Sequence, residues 1–335
     1  MRIGVLGAGT WGMALSALLA KNRHEVTVWS AIEQEIEQLK ATRRHKNLKN
    51  VIFPEDIEYT TDIEKACRAQ DMVLYVVPSA FIRATAKRSL PYLENGVTLI
   101  NAAKGIEKDT LMTMTEVIAD ELSARSELEY KLTALSGPTH AEEVAIGMPT
   151  SIVSACEDES VSRAVADVFH NSCMRVYTNN DVKGVEICGA LKNIIALAAG
   201  ITRGMGLGDN AIAMLMTRGI SEMTRIGLAM GCKRRTFMGL AGIGDLIVTC
   251  TSRHSRNNRC GELIGKGASY EEAEREIGMV VEGYHALEAA MALSHKHGIE
   301  MPITEAVYDI IKNGCLPQDA MLRLMTRDMK NELDT

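Results

Sequence analysis

The sequence predicts an α/β domain built on a mostly parallel sheet, followed by an all-α domain. Three observations carry this. Short β-branched runs alternate with helix-like stretches through residue 178. A glycine-rich turn separates the first such run from the first helix. After Thr178 the β-branched runs thin out, and Ala, Met, Leu and Glu recur at helical spacing. The expected domains are therefore residues 1–178 and 179–335, with "NND" (179–181) as cap or junction.

Each element follows from its own residues. "RIGVL" (2–6) is a short apolar run stopped by glycine, which reads as a buried strand. "MALSALLAKN" (13–22) has helical spacing. "EVTVW" (25–29), "MVLYVV" (72–77), "VTLINA" (97–102), "LTALSG" (132–137), "TSIVSA" (150–155) and "MRVYT" (174–178) continue the strand series. Alternation of strand and helix implies a mostly parallel sheet covered on both faces.

A chain of 335 residues suits two domains, each with its own core. The formal charge of −6 argues against nucleic acid as the main partner, since duplex binders carry a dominant basic face. Eight cysteines lie far apart with no C-x-x-C pair, which argues against a disulfide framework or a zinc site and fits reduced thiols in the cytoplasm. No leader pattern precedes "MRIGVLGAG", and no apolar run is expected to reach transmembrane length. "HKH" (295–297) lacks companions that would complete a metal site, so no metal is expected.

"GAGTWG" (7–12) matches G-x-G-x-x-G in the context that gives the pattern meaning, between a strand and a helix. Gly7 permits the tight turn, Gly9 lets the backbone approach a pyrophosphate, and Gly12 lets helix pack on strand. The helix N-terminus offers N–H groups to an anion. This is a Rossmann-type nucleotide turn. The second strand ends Trp29-Ser30-Ala31, without the acid that binds the ribose of NAD, and Glu33 comes late. Ser30 does not repel a 2′-phosphate. Arg43, Arg44, His45 and Lys46 form either a phosphate-reaching run or a solvated face. The expectation is use of NADP or NAD, with NADPH taken at least as well as NADH.

"GVEICGALKNIIALAAGITRG" (184–204) is apolar almost all round, so its helix should be buried. Lys192 is the only charged residue between Glu186 and Arg203, on a face with Cys188 and Ile195. A buried lysine is costly unless paired or neutralised, and such lysines serve as proton donors and acceptors. The alternative is a structural lysine that reaches the surface. "NAAKGIE" (101–107) sets Lys104 just past a strand's carboxyl end, where ligands gather in open α/β sheets. "SGPTHAEE" (136–143) has the same position, with Gly137, Thr139 and the amides of a helix start; each stretch is otherwise simply a turn. Arg253, His254, Arg256 and Arg259 crowd a loop after Asp245 and Thr249, as for a small anion. Cys250, beside Thr249, reads as a buried small apolar residue.

Taken together, "GAGTWG", "AAKGIE", "LSGPTHAEE", "GVEICGALKNIIALAAGI", "GDNAIAMLMTRGISEM", "GLAGIGDLIVTCTSRHSRN" and "VVEGYHAL" resemble the NAD(P)-dependent glycerol-3-phosphate dehydrogenases, in order, from residue 4 to about residue 290. The resemblance implies a C-terminal domain like that of 6-phosphogluconate dehydrogenase. It implies Lys192 as catalytic acid/base. It implies a substrate site of Lys104, Gly137, Thr139, Lys192, Asn193, Asp245, Thr249, Ser255, Arg256 and Asn257. Cofactor contacts would include Thr10, Trp11, Lys104, Ala141, Arg256, Val280 and Glu282. The implied reaction is reduction of dihydroxyacetone phosphate to sn-glycerol 3-phosphate, a phospholipid precursor, by a homodimer. Two stretches depart from the family pattern: Ala31-Ile32 replaces basic residues after the second strand, and Leu48-Lys49 replaces Tyr-Leu-Pro. Competing readings are a related dehydrogenase for a 3-hydroxyacyl or sugar-acid substrate, and a non-catalytic dinucleotide-binding regulator.

Overall fold

The computed structural model describes residues 1–329, 331 and 332. The end of the expected 179–335 domain, residues 330 and 333–335, lies outside the described residues. Two compact units are distinguished: Met1–Glu107 with Met112–Glu186, and Lys108–Leu111 with Ile187–Thr335.

The first unit runs β1 (Arg2–Leu6), α1 (Thr10–Lys21), β2 (Glu25–Trp29), α2 (Glu33–Thr42), β3 (Glu58–Thr60), β4 (Met72–Tyr75), α3 (Ile82–Ser89), β5 (Val97–Asn101), α4 (Met114–Leu122), β6 (Tyr130–Ser136), α5 (Ala141–Ala145), β7 (Thr150–Ala155), α6 (Glu159–Phe169) and β8 (Met174–Asn179). The strands form one sheet in the order β3-β2-β1-β4-β5-β6-β7-β8. Every neighbouring pair is parallel except β6 and β7. Strand order reverses between β1 and β4, so β1 ends at a topological switch point, where doubly wound sheets bind ligands. Ile3 and Val5 of β1 join one core cluster, with Val26, Val28 and Leu74, whereas Leu6 joins another, with Trp29, Val73 and Tyr75. That split is the strand's period of two, with apolar side chains on both faces.

The second unit is helical. Its division from the first falls within α7 (Val182–Gly204). There follow α8 (Asp209–Ala229), α9 (Arg234–Phe237), a π turn (Leu240–Gly244), α10 (Asp245–Thr251), α11 (Arg256–Gly265), α12 (Tyr270–Ile277), α13 (Glu282–His297), α14 (Pro302–Lys312) and α15 (Pro317–Met325). Contrary to the sequence expectation, α7 is long and apolar enough to cross a membrane, but its apolar window is wholly buried in the protein. It is a core helix, and no other helix among the described residues passes that test.

Glycine explains how closely α7 meets α11. A Cβ on Gly200 would stand 2.0 Å from the Asn258 carbonyl oxygen, and one on Gly204 2.3 Å from that of Glu262. From the other side, a Cβ on Gly261 or Gly265 would stand 2.1 or 2.2 Å from the Leu197 or Ile201 oxygen. Each helix thus offers a G-x-x-x-G pair, and backbone rests on backbone. No side chain fits in this seam.

Candidate active site

In the first unit the glycine turn has the form its sequence requires. Gly7 N donates to the Trp29 carbonyl at 2.9 Å, tying the end of β1 to that of β2. Gly7 has φ +134°, and a Cβ there would lie 2.8 Å from Val77 N. A Cβ on Gly12 would lie 2.0 Å from the Gly7 oxygen, so only glycine lets α1 pack this closely. At Gly9 an added Cβ would meet nothing within 4 Å. The turn is therefore tight against the protein at Gly7 and Gly12 and open at Gly9, beside the N-terminus of a twelve-residue helix. That arrangement fits a pyrophosphate. Trp11 and Ala141 pack on the same apolar cluster. Asn47 Nδ2 donates to Thr10 Oγ1 at 3.1 Å, bringing the segment after α2 onto the helix start. No periodicity announced Asn47.

Lys104 and Thr139 meet at Gly137. Lys104 Nζ donates to the Gly137 carbonyl at 3.1 Å, and Thr139 Oγ1 donates to the same oxygen at 3.2 Å. The turn bearing Lys104 is set by Asn101, whose side chain both accepts from Ala103 N and donates to its carbonyl, each at 3.0 Å. Asn101 Nδ2 also donates to Glu186 Oε1 at 2.7 Å, and Thr115 donates to both oxygens of that carboxylate through N (3.0 Å) and Oγ1 (2.5 Å). Burial pushes the Glu186 carboxyl up, against the lowering effect of these donors.

In the second unit Lys192 is 5% exposed, Asp245 1% and Thr249 5%. Lys192 Nζ donates to Asp245 Oδ1 at 2.6 Å and to Thr249 Oγ1 at 2.5 Å. Thr249 Oγ1 itself donates to the Asp245 carbonyl at 2.6 Å. Asp245 opens α10 directly after the π turn, and Thr249 follows one helical turn later. The carboxylate compensates an ammonium charge that burial alone would penalise by several kcal/mol. Lys192 does not reach the surface.

Asn193, the next residue of α7, belongs to a second polar chain. Asn257 Nδ2 donates to Asn193 Oδ1 at 3.0 Å, and Asn257 Oδ1 accepts from Gly283 N at 2.9 Å, linking α7, α11 and α13. Ser255 Oγ accepts from Asn258 N at 3.2 Å and caps α11, so its hydroxyl serves the helix start. Arg256 is exposed and donates through NH1 to the Val280 carbonyl at 3.2 Å, two residues before Glu282 opens α13. Arg253 and Arg259 are also exposed. Arg203, which the sequence reading did not single out, donates to Asn258 Oδ1 at 3.0 Å. Burial pushes the Cys250 thiol up to about 12, which keeps it a thiol at neutral pH. Among the described residues no group of His, Cys, Asp and Glu is arranged to hold a metal.

A glycine turn of dinucleotide-binding form in one unit and a buried lysine–aspartate pair in the other fit the class of nicotinamide-dependent oxidoreductases. Comparison with known proteins narrows the class. Residues 2–162 match the family model described as NAD-dependent glycerol-3-phosphate dehydrogenase N-terminus, and residues 181–322 match the corresponding C-terminus. The chain is 54% identical over 335 residues to a glycerol-3-phosphate dehydrogenase [NAD(P)+] 2 of Lactobacillus delbrueckii subsp. bulgaricus, covering 99% of each. It is 48% identical to the glycerol-3-phosphate dehydrogenase [NAD(P)+] of Pelotomaculum thermopropionicum, over 99% of this chain and 95% of that protein. The crystal structure of glycerol-3-phosphate dehydrogenase from Coxiella burnetii superposes with TM-score 0.92 at 37% identity, covering 97% of this chain and 99% of that one. The chain belongs to the NAD-dependent glycerol-3-phosphate dehydrogenase family.

Proposed function

We propose that this enzyme catalyses the reversible, NAD(P)H-dependent reduction of dihydroxyacetone phosphate to sn-glycerol 3-phosphate, supplying phospholipid synthesis. The observation that carries the chemistry is the Lys192 ammonium, buried and held at 2.6 Å from Asp245 and 2.5 Å from Thr249. When bound, the dinucleotide supplies the hydride for the ketone carbon. Lys192 stabilises the negative charge that grows on the carbonyl oxygen and gives that oxygen a proton; in oxidation its neutral amine takes the hydroxyl proton. Asp245 and Thr249 orient Lys192 in either direction.

In the first unit Gly7, Gly9, Thr10, Trp11, Gly12 and Ala141 hold the dinucleotide, and Lys104, Gly137 and Thr139 offer polar groups to substrate. In the second unit Asn193 and Asn257 brace the substrate side of α7. Arg256, at the N-terminus of the ten-residue helix α11, grips the phosphate with its guanidinium fork beside the N–H groups of that helix. Val280, in the link before α13, and Glu282, the first residue of α13, contribute to the cofactor. Eight cysteines without a disulfide support a cytoplasmic setting. Exposed apolar side chains on and beside α15, Leu316, Leu322 and Met325, support a homodimer. Oxidation of NADPH or NADH in the presence of dihydroxyacetone phosphate tests the reading. Turnover with a 3-hydroxyacyl or sugar-acid substrate instead, or none with any, would replace it by one of its competitors.

A further inference from the structure

The chain has no carboxylate at the end of β2, where it reads Trp29-Ser30-Ala31-Ile32. The fold brings one back. Ser30 is 5% exposed, and its Oγ donates to Glu35 Oε2 at 2.8 Å while accepting from Ile32 N at 3.1 Å. Glu35 lies in the first turn of α2, half-buried, where the helix N-terminus also favours a negative charge. Ser30 follows directly on Trp29, whose carbonyl receives Gly7 N at 2.9 Å, so the hydroxyl–carboxylate pair is fixed beside the glycine turn. In a doubly wound sheet that strand end receives the adenosine ribose.

We propose that Glu35, held by Ser30, reads the ribose 2′ position: its carboxylate accepts from a 2′-hydroxyl and repels a 2′-phosphate, so that the enzyme favours NAD(H) over NADP(H). This deepens the functional reading above and rests on it. It reverses the expectation drawn from Ser30 alone, that NADPH is taken at least as well as NADH.

The cations of the following run are engaged in other ways. Arg43 NH1 is paired with Glu55 at 2.6 Å. Arg44 NH1 donates to the Lys49 carbonyl at 3.1 Å. His45 is buried and accepts from Asn47 N at 3.2 Å, and desolvation holds its imidazole below the ordinary value in spite of the nearby Glu35 charge. Lys46 is exposed. Across the sheet, the Arg88 guanidinium lies over the Trp29 ring at 5.0 Å. Of these charged groups, the Glu35 carboxylate is the one bonded directly to the residue that ends the strand, Ser30.

The experiment is calorimetric binding of NAD⁺ and NADP⁺ to the wild type, Glu35→Gln and Ser30→Ala, with Lys46→Gln as control. The wild type should bind NAD⁺ about tenfold or more tightly than NADP⁺, the scale of one charge repelling another at about 5 Å. Glu35→Gln should shrink the ratio about tenfold, mainly by tightening NADP⁺. Ser30→Ala should move it the same way by less, and Lys46→Gln should leave the preference for NAD⁺ in place. Wild-type binding of NADP⁺ as tight as that of NAD⁺ would overturn the proposal, whether or not the variants fold. So would an unchanged ratio in Glu35→Gln. Turnover of dihydroxyacetone phosphate is measured separately, so failure of the functional reading is distinct from failure of this one.

Discussion

Lys192 Nζ and Asp245 Oδ1 lie 2.6 Å apart, on side chains only 7% and 2% exposed, and 53 positions separate them in the chain. Neither residue is comfortable alone in such a place. A buried pair of this kind gains little over an apolar pair, but breaking it strands a charge at a cost of about 3–5 kcal/mol. Stability and chemistry should therefore separate cleanly on mutation.

Lys192→Met removes the proposed proton carrier and takes from Asp245 its ammonium partner. kcat should fall by about 10²-fold or more, and the melting temperature should fall with it. Adding Asp245→Asn should restore much of the melting temperature but none of kcat. Near-normal kcat in the single variant would move the proton transfer elsewhere, with Lys104 the next residue to test.

Arg256→Lys keeps the charge at the start of α11 but loses the planar fork. kcat/KM for dihydroxyacetone phosphate should drop roughly 10- to 150-fold, as for a charge-assisted contact, while the low activity on unphosphorylated dihydroxyacetone stays as it was. Arg253→Lys and Arg259→Lys are the comparison. Equal, modest losses from all three arginines would mean that the loop attracts anions without gripping them.

Gly200→Ala inserts a methyl where the Asn258 carbonyl oxygen would be 2.0 Å away. Overpacking of this kind costs about 1–3 kcal/mol. Because α11 begins at Arg256 and α7 carries Lys192, kcat/KM should fall more than dinucleotide affinity. Gly208→Ala, whose added methyl meets nothing within 4 Å, should lose less stability. Equal melting temperatures for the two variants would show that α7 and α11 have room to part.

Glu222 gives a pH signature. Its carboxylate accepts from Ile303 N at 2.5 Å and from Thr304 N and Oγ1 at 3.3 and 3.2 Å, at the start of α14. Burial pushes its carboxyl up to about 7 from 4.5, more than these donors hold it down. Between those values the folded protein keeps a proton that the unfolded chain has lost, so stability falls as pH rises from 4.5 to about 7 and levels off above. The span is about 3 kcal/mol. Denaturant titrations from pH 5 to 8 should show this slope in the wild type and a flatter one in Glu222→Gln. Identical slopes would assign the effect to other groups.

Much of this was legible because local patterns carried it. Alternating apolar runs marked seven of the eight strands, and the glycine spacing marked the nucleotide turn. The three-residue strand Glu58–Thr60 escaped because so short a segment has no periodicity, and the antiparallel pairing of β6 with β7 because direction is not written into a strand's residues. Lys192 stood out as a lone charge in an apolar helix. Its bonds to Asp245 and Thr249 depend on folding across more than fifty residues. Glu35 was hidden for a related reason: the serine that draws it back to the strand end looks, in sequence, like the absence of an acid. The seam between Gly200, Gly204, Gly261 and Gly265 was likewise invisible, since each pair acquires meaning only against the other.

The hydroxyl of Thr249 has one hydrogen, and it is directed at the Asp245 carbonyl at 2.6 Å. Toward Lys192 it therefore presents a lone pair, as does the Asp245 carboxylate. A tetrahedral nitrogen has four directions; Cε takes one, and these two acceptors claim two N–H bonds. In the role proposed for it, the amine that remains after proton transfer keeps both of those hydrogens on the same two acceptors. In that role the two acceptors hold the orientation of the nitrogen while the proton leaves and while it returns.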